Sequence, residues 1–99
     1  MTNVRLYLAE GFANDRVVIS IDGRKVFDGD GVTTKKLYGL ALELAPVAVA
    51  GGAVQIDIEL PQKGVRASIR ADLSKGDQIP ISIEDGRVTH FVGKQIGFG

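Results

Sequence analysis

The sequence predicts an all-β fold, a single-domain, two-layer antiparallel β-sandwich of about seven or eight short strands. Apolar and polar residues alternate at period two over most segments, which is the pattern of strands with one buried face. Thirteen glycines and several Asp-Gly pairs separate these segments, at a spacing of about 8 to 12 residues that is typical of sandwiches. The length of 99 residues fits one small domain.

The strongest strand pattern covers residues 54–60, in which every second residue is a large aliphatic one or valine. A turn containing proline and glycine separates it from a second alternating segment, 65–73. The hairpin register that keeps both apolar faces together places Glu59 opposite Arg66, so that their charges match. A shift of one residue loses both the charge pair and the common apolar face. We therefore predict a hairpin with this register.

Asp-Gly pairs predict two further hairpins, because aspartate and glycine tolerate the positive φ values of a type I′ turn. The turn at 22–23 is expected to bring Ile19 opposite Val26 and Val18 opposite Phe27. Both faces of this hairpin then carry apolar contacts. We expect it near the centre of the sandwich or partly covered by a loop.

The other Asp-Gly turn, at 85–86, joins segment 79–83 to segment 88–92. Pro80 has no N–H to donate to a neighbouring strand. The strand that contains it is therefore predicted at the edge of a sheet or at a bulge.

Residues 35–45 are ambiguous, because their leucines fit one face of a helix as well as one face of a strand. Gly39 inside a short helix would cost about 1 kcal/mol relative to alanine, and Pro46 would end such a helix early. We predict a strand over residues 38–45, with a helix as the alternative. The small residues 47–52 are interpreted as a bend that leads into the strongest strand.

Composition excludes several functional classes. The chain has 12 basic and 12 acidic residues, and their interleaving removes the broad basic surface of a nucleic-acid or anionic-membrane binder. It has no cysteine, which excludes a disulfide, a thiolate nucleophile and a zinc–thiolate site. The N-terminal residues alternate like a strand rather than a signal peptide, and no apolar stretch is long enough for a membrane helix. We expect a cytoplasmic protein with no nucleic-acid or membrane partner.

His90 is the single histidine, so one chain cannot provide a multi-histidine metal site. The turn at 85–86 is expected to bring Ser82 opposite Thr89 and His90 opposite Ile81, on the other face. A three-residue turn with a bulge would instead turn His90 toward the first face. We therefore predict no catalytic residues and no enzyme, with a small-molecule hydrolase that uses His90 as the alternative.

The densest acidic cluster is an Asp-Gly-Asp-Gly run that contains Asp28 and Asp30. Alternate carboxylates in a glycine loop can ligate Ca²⁺, but Gly39 stands where an EF-hand has its bidentate glutamate. A distant carboxylate such as Asp15 or Asp85 would be needed to complete a site. We predict no metal and no other cofactor, with Asp28 and Asp30 as the weak candidates. A Ca²⁺-assisted carbohydrate-binding module is the second alternative, although the chain has no tryptophan to stack on a sugar ring.

The predicted domain covers residues 1–92, and a glycine-rich C-terminal segment covers 93–99. Ile96 and Phe98 alternate in that segment, so they can lie along one face of an added strand. Such a strand would dock on the chain's own sheet or on the sheet of a partner. Ile96 and Phe98 are therefore the candidate partner-binding residues.

Transthyretin-like, C2-like and immunoglobulin-like modules share the predicted architecture, and no motif in this chain selects one of them. A shared architecture does not define function. We predict a small non-catalytic β-sandwich that acts as a binding or protein-interaction module, as a monomer or a weak homodimer. Its partner is expected to be another protein, bound through an edge strand or the C-terminal segment.

Overall fold

A computed structural model describes residues 2–35, 39–90 and 92–93, and it confirms the all-β sandwich. Within these ranges there is no α-helix, and no helix that could span a bilayer is found. Short 3-10 helices follow β6 and β7. The strands are β1 (Thr2–Leu8), β2 (Asp15–Ile21), β3 (Arg24–Val32), β4 (Leu42–Glu43), β5 (Val47–Val49), β6 (Ala53–Leu60), β7 (Val65–Asp72), β8 (Gln78–Glu84) and β9 (Arg87–His90).

Two sheets pack against each other. The first has the order β4-β1-β8-β9, with β5 also paired to β1, and the second has the order β3-β2-β6-β7. The described residues form nine strands rather than the predicted seven or eight. The difference comes from two very short strands, β4 and β5, which have 2 and 3 residues. Most neighbours are antiparallel, as predicted, but β1 and β8 are parallel. The chain crosses between the sheets after β1, β3, β5 and β7, so the strands within each hairpin share a sheet.

The core lies between the sheets and is formed by alternate residues of the long strands. Burying one such aliphatic side chain contributes about 1.5 to 3 kcal/mol. The alternation that predicts the strands therefore also supplies most of the core. The fully buried residues include Leu6, Leu8, Val17, Ile19, Ile56, Ile58, Leu60, Ile79 and Ile81.

The β6–β7 hairpin has the predicted register. Glu59 lies opposite Arg66, and Nη2 of Arg66 is 2.6 Å from Oε2 of Glu59. The turn closes at Gly64, whose φ of 65° lies in the left-handed region. The pattern of charges and aliphatic residues therefore predicts this hairpin correctly.

The register predicted for the β2–β3 hairpin is wrong beyond its first pairs. Ser20 pairs with Lys25, but Ile19 pairs with Phe27, because Val26 is an extra residue in β3. Such a β-bulge places two residues of one strand opposite one residue of its partner. It moves Phe27 from the predicted outer face to the inner face, at the edge of the sheet.

The prediction that the strand with Pro80 lies at an edge or a bulge is wrong, since β8 lies between β1 and β9. Arg5 N donates to Asp77 O and Ala9 N donates to Ile81 O. The backbone N–H and C=O groups of the odd-numbered residues of β8 therefore point to β1, and the backbone nitrogen of Pro80 points to β9. Because a strand bonds each neighbour through alternate residues only, the proline removes no hydrogen bond from the β1–β8 ladder.

The strand predicted over residues 38–45 is reduced to β4 in the described part, and the described residues of this segment contain no helix. Gly39 has a φ of 66°, which places it in a turn. The interpretation of residues 47–52 as a bend is wrong for its first half. Val47–Val49 forms β5, which pairs with β1. Side chains in a strand alternate between its two faces, and in β5 this directs Val49 into the core.

Candidate binding groove

The two sides of the sandwich differ in how closely the sheet edges approach. At one side, which we call the closed side, Cα atoms of β7 and β9 come within 8 Å of each other at several positions. At the other side, the open side, β3 faces the short strands β4 and β5. A groove of about 650 Å³ lies between them. We call it the edge groove.

Apolar side chains from both sheets line the edge groove. Most of them are half-buried, so they combine contact with the core and exposure to solvent. Arg24 and Glu43 add one charge of each sign to the lining. The larger apolar side chains are those of Val26, Phe27, Leu42, Leu44, Pro46 and Val47.

A second depression, of about 290 Å³, continues the edge groove along β3. It shares Phe27 and Leu42 with the first, and Asp30 and Lys35 are among its other lining residues. The two depressions together follow β3, whose 9 residues span about 30 Å. The open side is therefore elongated rather than a compact pocket.

Phe27 occupies the junction of the two depressions because of two local features. The bulge at Val26 turns its side chain to the inner face. Gly29, two residues further along the same face, leaves room for the ring, since a Cβ there would lie 2.7 Å from Cζ of Phe27. The bulge and the glycine thus allow the aromatic ring to lie along the strand and line both depressions.

Asp28, a weak metal candidate, is engaged by cations of the chain itself. Nε and Nη2 of Arg16 donate to its carboxylate at 3.2 and 3.1 Å, and Nζ of Lys25 lies 3.5 Å away. The hydrogen bond from Arg16 lowers the pKa of Asp28 below its ordinary value, and the charges of Arg16 and Lys25 act in the same direction. Asp30, the other candidate, is exposed on the same strand.

One of the two distant carboxylates considered for calcium, Asp15, is buried and engaged in contacts within the chain. Its Oδ2 lies 3.0 Å from Nζ of Lys63 and accepts a hydrogen bond from Ala13 N at 2.8 Å. The structure therefore does not bring Asp15 together with Asp28 as a pair of ligands. Over the described ranges there is no group of three or more side chains that could hold a metal ion.

His90 lies exposed at the end of β9 and pairs with Ile81, as predicted. Ser82 pairs with Thr89, which places these two residues on the opposite face from His90. Oγ of Ser82 accepts a hydrogen bond from Glu10 N at 3.2 Å. The structure therefore brings Ser82 and Thr89 together but separates both from the imidazole.

The other residues singled out from the sequence, Ile96 and Phe98, lie outside the described residues, so their role in partner binding stays a prediction. Sequence reasoning missed the groove residues Phe27 and Leu42. One signal was available for Phe27, because two adjacent apolar residues, Val26 and Phe27, interrupt an alternating strand at the position of the bulge. Nothing in the sequence shows that β4 lies across from β3.

Comparison of the chain with protein-family models, with curated proteins and with solved structures finds no match. Function is therefore inferred from the geometry of the open side.

Proposed function

We propose that the protein is a non-catalytic interaction module that binds an extended, apolar segment of a partner protein in the edge groove. The observation that carries this proposal is the groove itself, which lies between the edges of both sheets and presents apolar side chains from each. Its volume of about 650 Å³ falls within the range of ligand sites, about 300 to 1,000 Å³.

The elongated shape favours a polypeptide over a compact small molecule. An extended segment directs alternate side chains to one face, so apolar residues at every second position would enter the groove. The intervening residues would lie over its rim. There, Arg24 and Glu43 at one end and Asp30 and Lys35 at the other offer charges of both signs.

The open side also favours side-chain contacts over the addition of a strand to β3. This strand has register shifts at two places opposite β2, and the ion pairs of Asp28 occupy its outer face. Bulges and charges are features that oppose pairing with a further strand. We therefore propose that the apolar lining, rather than the backbone of β3, provides the affinity.

The non-catalytic part of the proposal is supported by the position of His90, which faces away from the hydroxyls of Ser82 and Thr89. A cytoplasmic location stays a prediction of the sequence.

A displayed library of short random peptides, selected on the full-length chain, tests the proposal. We expect enrichment of peptides with apolar residues at alternate positions. Titration of the ¹⁵N-labelled chain with the most enriched peptide should shift amide resonances of β3, β4 and β5. Failure of the library to yield a binder, or shifts confined to other strands, would count against the proposal.

A matched pair of variants locates the binding energy. Leu42 and Leu73 are both half-buried leucines packed against the core, but only Leu42 lines the edge groove. Leu42→Asp should weaken peptide binding by about tenfold or more, because it replaces apolar contact with a desolvated charge. Leu73→Asp should leave the affinity unchanged. Equal weakening by both variants would indicate a general loss of structure and would overturn the assignment.

A further inference from the structure

β7 is the edge of the second sheet on the closed side, and it is unusually regular. All 8 of its residues pair with β6 without a register shift. In the described part of the chain, no strand pairs with its other edge. It contains neither proline nor glycine, and its charged residues all point to the outer face. β7 therefore lacks the bulges and inward-pointing charges that protect edge strands from pairing.

The backbone groups at the edge of β7 that faces away from β6 can be identified from the hydrogen bonds of β6. The backbone groups of Gln55 point to β2, because its N–H donates to Oδ1 of Asp22 and its carbonyl accepts a hydrogen bond from Asp22 N. The backbone groups of its neighbour Ile56 then face β7, where Ile56 pairs with Ile69. Odd-numbered residues of β7 are therefore bonded to β6. The even-numbered residues, from 66 to 72, direct their N–H and C=O groups outward.

We propose that two copies of the chain pair through β7, antiparallel and edge to edge, about a two-fold axis at Ile69. In this register Arg66 lies opposite Asp72 of the second copy, and Ser68 lies opposite Arg70. The symmetry repeats each contact, so two Arg–Asp pairs flank the axis. The paired residues are those whose backbone groups face outward, so each pair can exchange both ladder hydrogen bonds.

The charge pattern selects this register over the two adjacent ones. Both copies must keep their apolar faces on the same side, so even-numbered residues pair only with even-numbered ones. An axis at Ser68 would place Arg66 opposite Arg70, and an axis at Arg70 would place the two copies of that arginine opposite each other. Like charges directly opposite are destabilising. Only the axis at Ile69 avoids such contacts among these three. An axis at Ala71 would also pair Arg70 with Asp72, but it would use only the last residues of β7, which ends at Asp72.

Both members of the proposed ion pair lie at the surface. The side chain of Arg66 is 79% exposed while it binds Glu59, and Asp72 is exposed while its Oδ1 accepts a hydrogen bond from Ser74 N at 3.0 Å. These contacts within the chain hold the two side chains on the outer face of the sheet. On the inner face, Ile69 would meet its own copy at the axis.

Sedimentation velocity of the full-length chain over a range of concentrations tests the proposal. We expect a reversible dimer. Arg66→Asp and Asp72→Arg, examined separately, should each weaken dimerisation by about ten- to a hundredfold, because each places like charges opposite each other twice. An equimolar mixture of the two variants should recover the dimer. One copy then carries negative charges at both positions and the other carries positive charges.

The mixture also controls for folding, because recovery of the dimer requires that both variants keep the structure of β7. A chain that stays monomeric at all concentrations would overturn the proposal. Variants that dimerise as tightly as the wild type would place the interface elsewhere, and folded variants that remain monomeric when mixed would show that the register is wrong. Peptide binding in the edge groove should be unchanged in all of these variants, since β7 lies on the other side of the sandwich.

Discussion

β3 and β7 are the two edges of one sheet, yet they are built differently. β3 has register shifts at two places, two glycines and a mixture of basic and acidic residues, whereas β7 is regular over its whole length. The extra residue Val26 both interrupts the edge of β3 and turns Phe27 toward the other sheet. One inserted residue thus opposes strand pairing and helps to form an apolar groove. The regular edge, by contrast, keeps a backbone that can accept another strand.

The two proposals assign different roles to these edges. Pairing through β7 would join the second sheets of the two copies into one continuous sheet with the order β3-β2-β6-β7-β7-β6-β2-β3. The two edge grooves would then lie at opposite ends of the assembly. A partner with two binding segments could then occupy both grooves. Such bivalent binding is stronger than either contact alone when the linker can span the sites.

Proline substitutions in β7 should give the largest effects and separate its two edges. Ile69→Pro removes a ladder hydrogen bond to β6 and truncates a buried core side chain, so it should lower the free energy of unfolding by about 2 to 5 kcal/mol. Ser68→Pro removes an N–H that faces outward, so it should cost much less stability but should abolish dimerisation. Urea denaturation and sedimentation velocity measure the two effects. If Ser68→Pro destabilised the fold as much as Ile69→Pro, the assignment of the outward-facing backbone groups would be wrong.

Deletion of Val26 should make β3 resemble β7. The remaining residues can pair with β2 without the bulge at this position, at a cost of about 1 kcal/mol for the lost half-buried side chain. We expect the flatter edge to self-associate. Sedimentation velocity in a Ser68→Pro background, where pairing through β7 is blocked, isolates this effect.

Val26→Ala is the matched control, because it shortens the side chain but keeps the bulge. It should lose stability without gaining association. Association of equal strength in both variants would show that the bulge does not protect β3.

The two edge strands also differ in how well the sequence predicts them. The β6–β7 hairpin follows from local alternation and from the Glu59–Arg66 pair, and both signals lie within a few residues of the turn. The bulge at Val26 is missed because strict alternation assumes a regular register. The place of β8 beside β1 depends on a parallel pairing between distant parts of the chain, and no local pattern encodes it. The groove is missed for the same reason, since Phe27 and Leu42 meet only through tertiary structure.

Removal of the ion pairs of Asp28, which lie on the charged outer face of β3, should give the smallest effect. Arg16 and Lys25 hold the pKa of Asp28 below its ordinary value of 3.8, so the folded state favours the ionised carboxylate. This contribution to stability is therefore fully present above the ordinary pKa and is lost as the pH falls through the lower pKa of the folded state.

Asp28→Asn should lower the melting temperature slightly at neutral pH, and the difference from the wild type should shrink as the pH falls below about 4. Asp30→Asn changes a neighbouring exposed carboxylate and serves as the control in the same thermal scans. A difference between Asp28→Asn and the wild type that grew toward acidic pH would contradict the assigned ion pair.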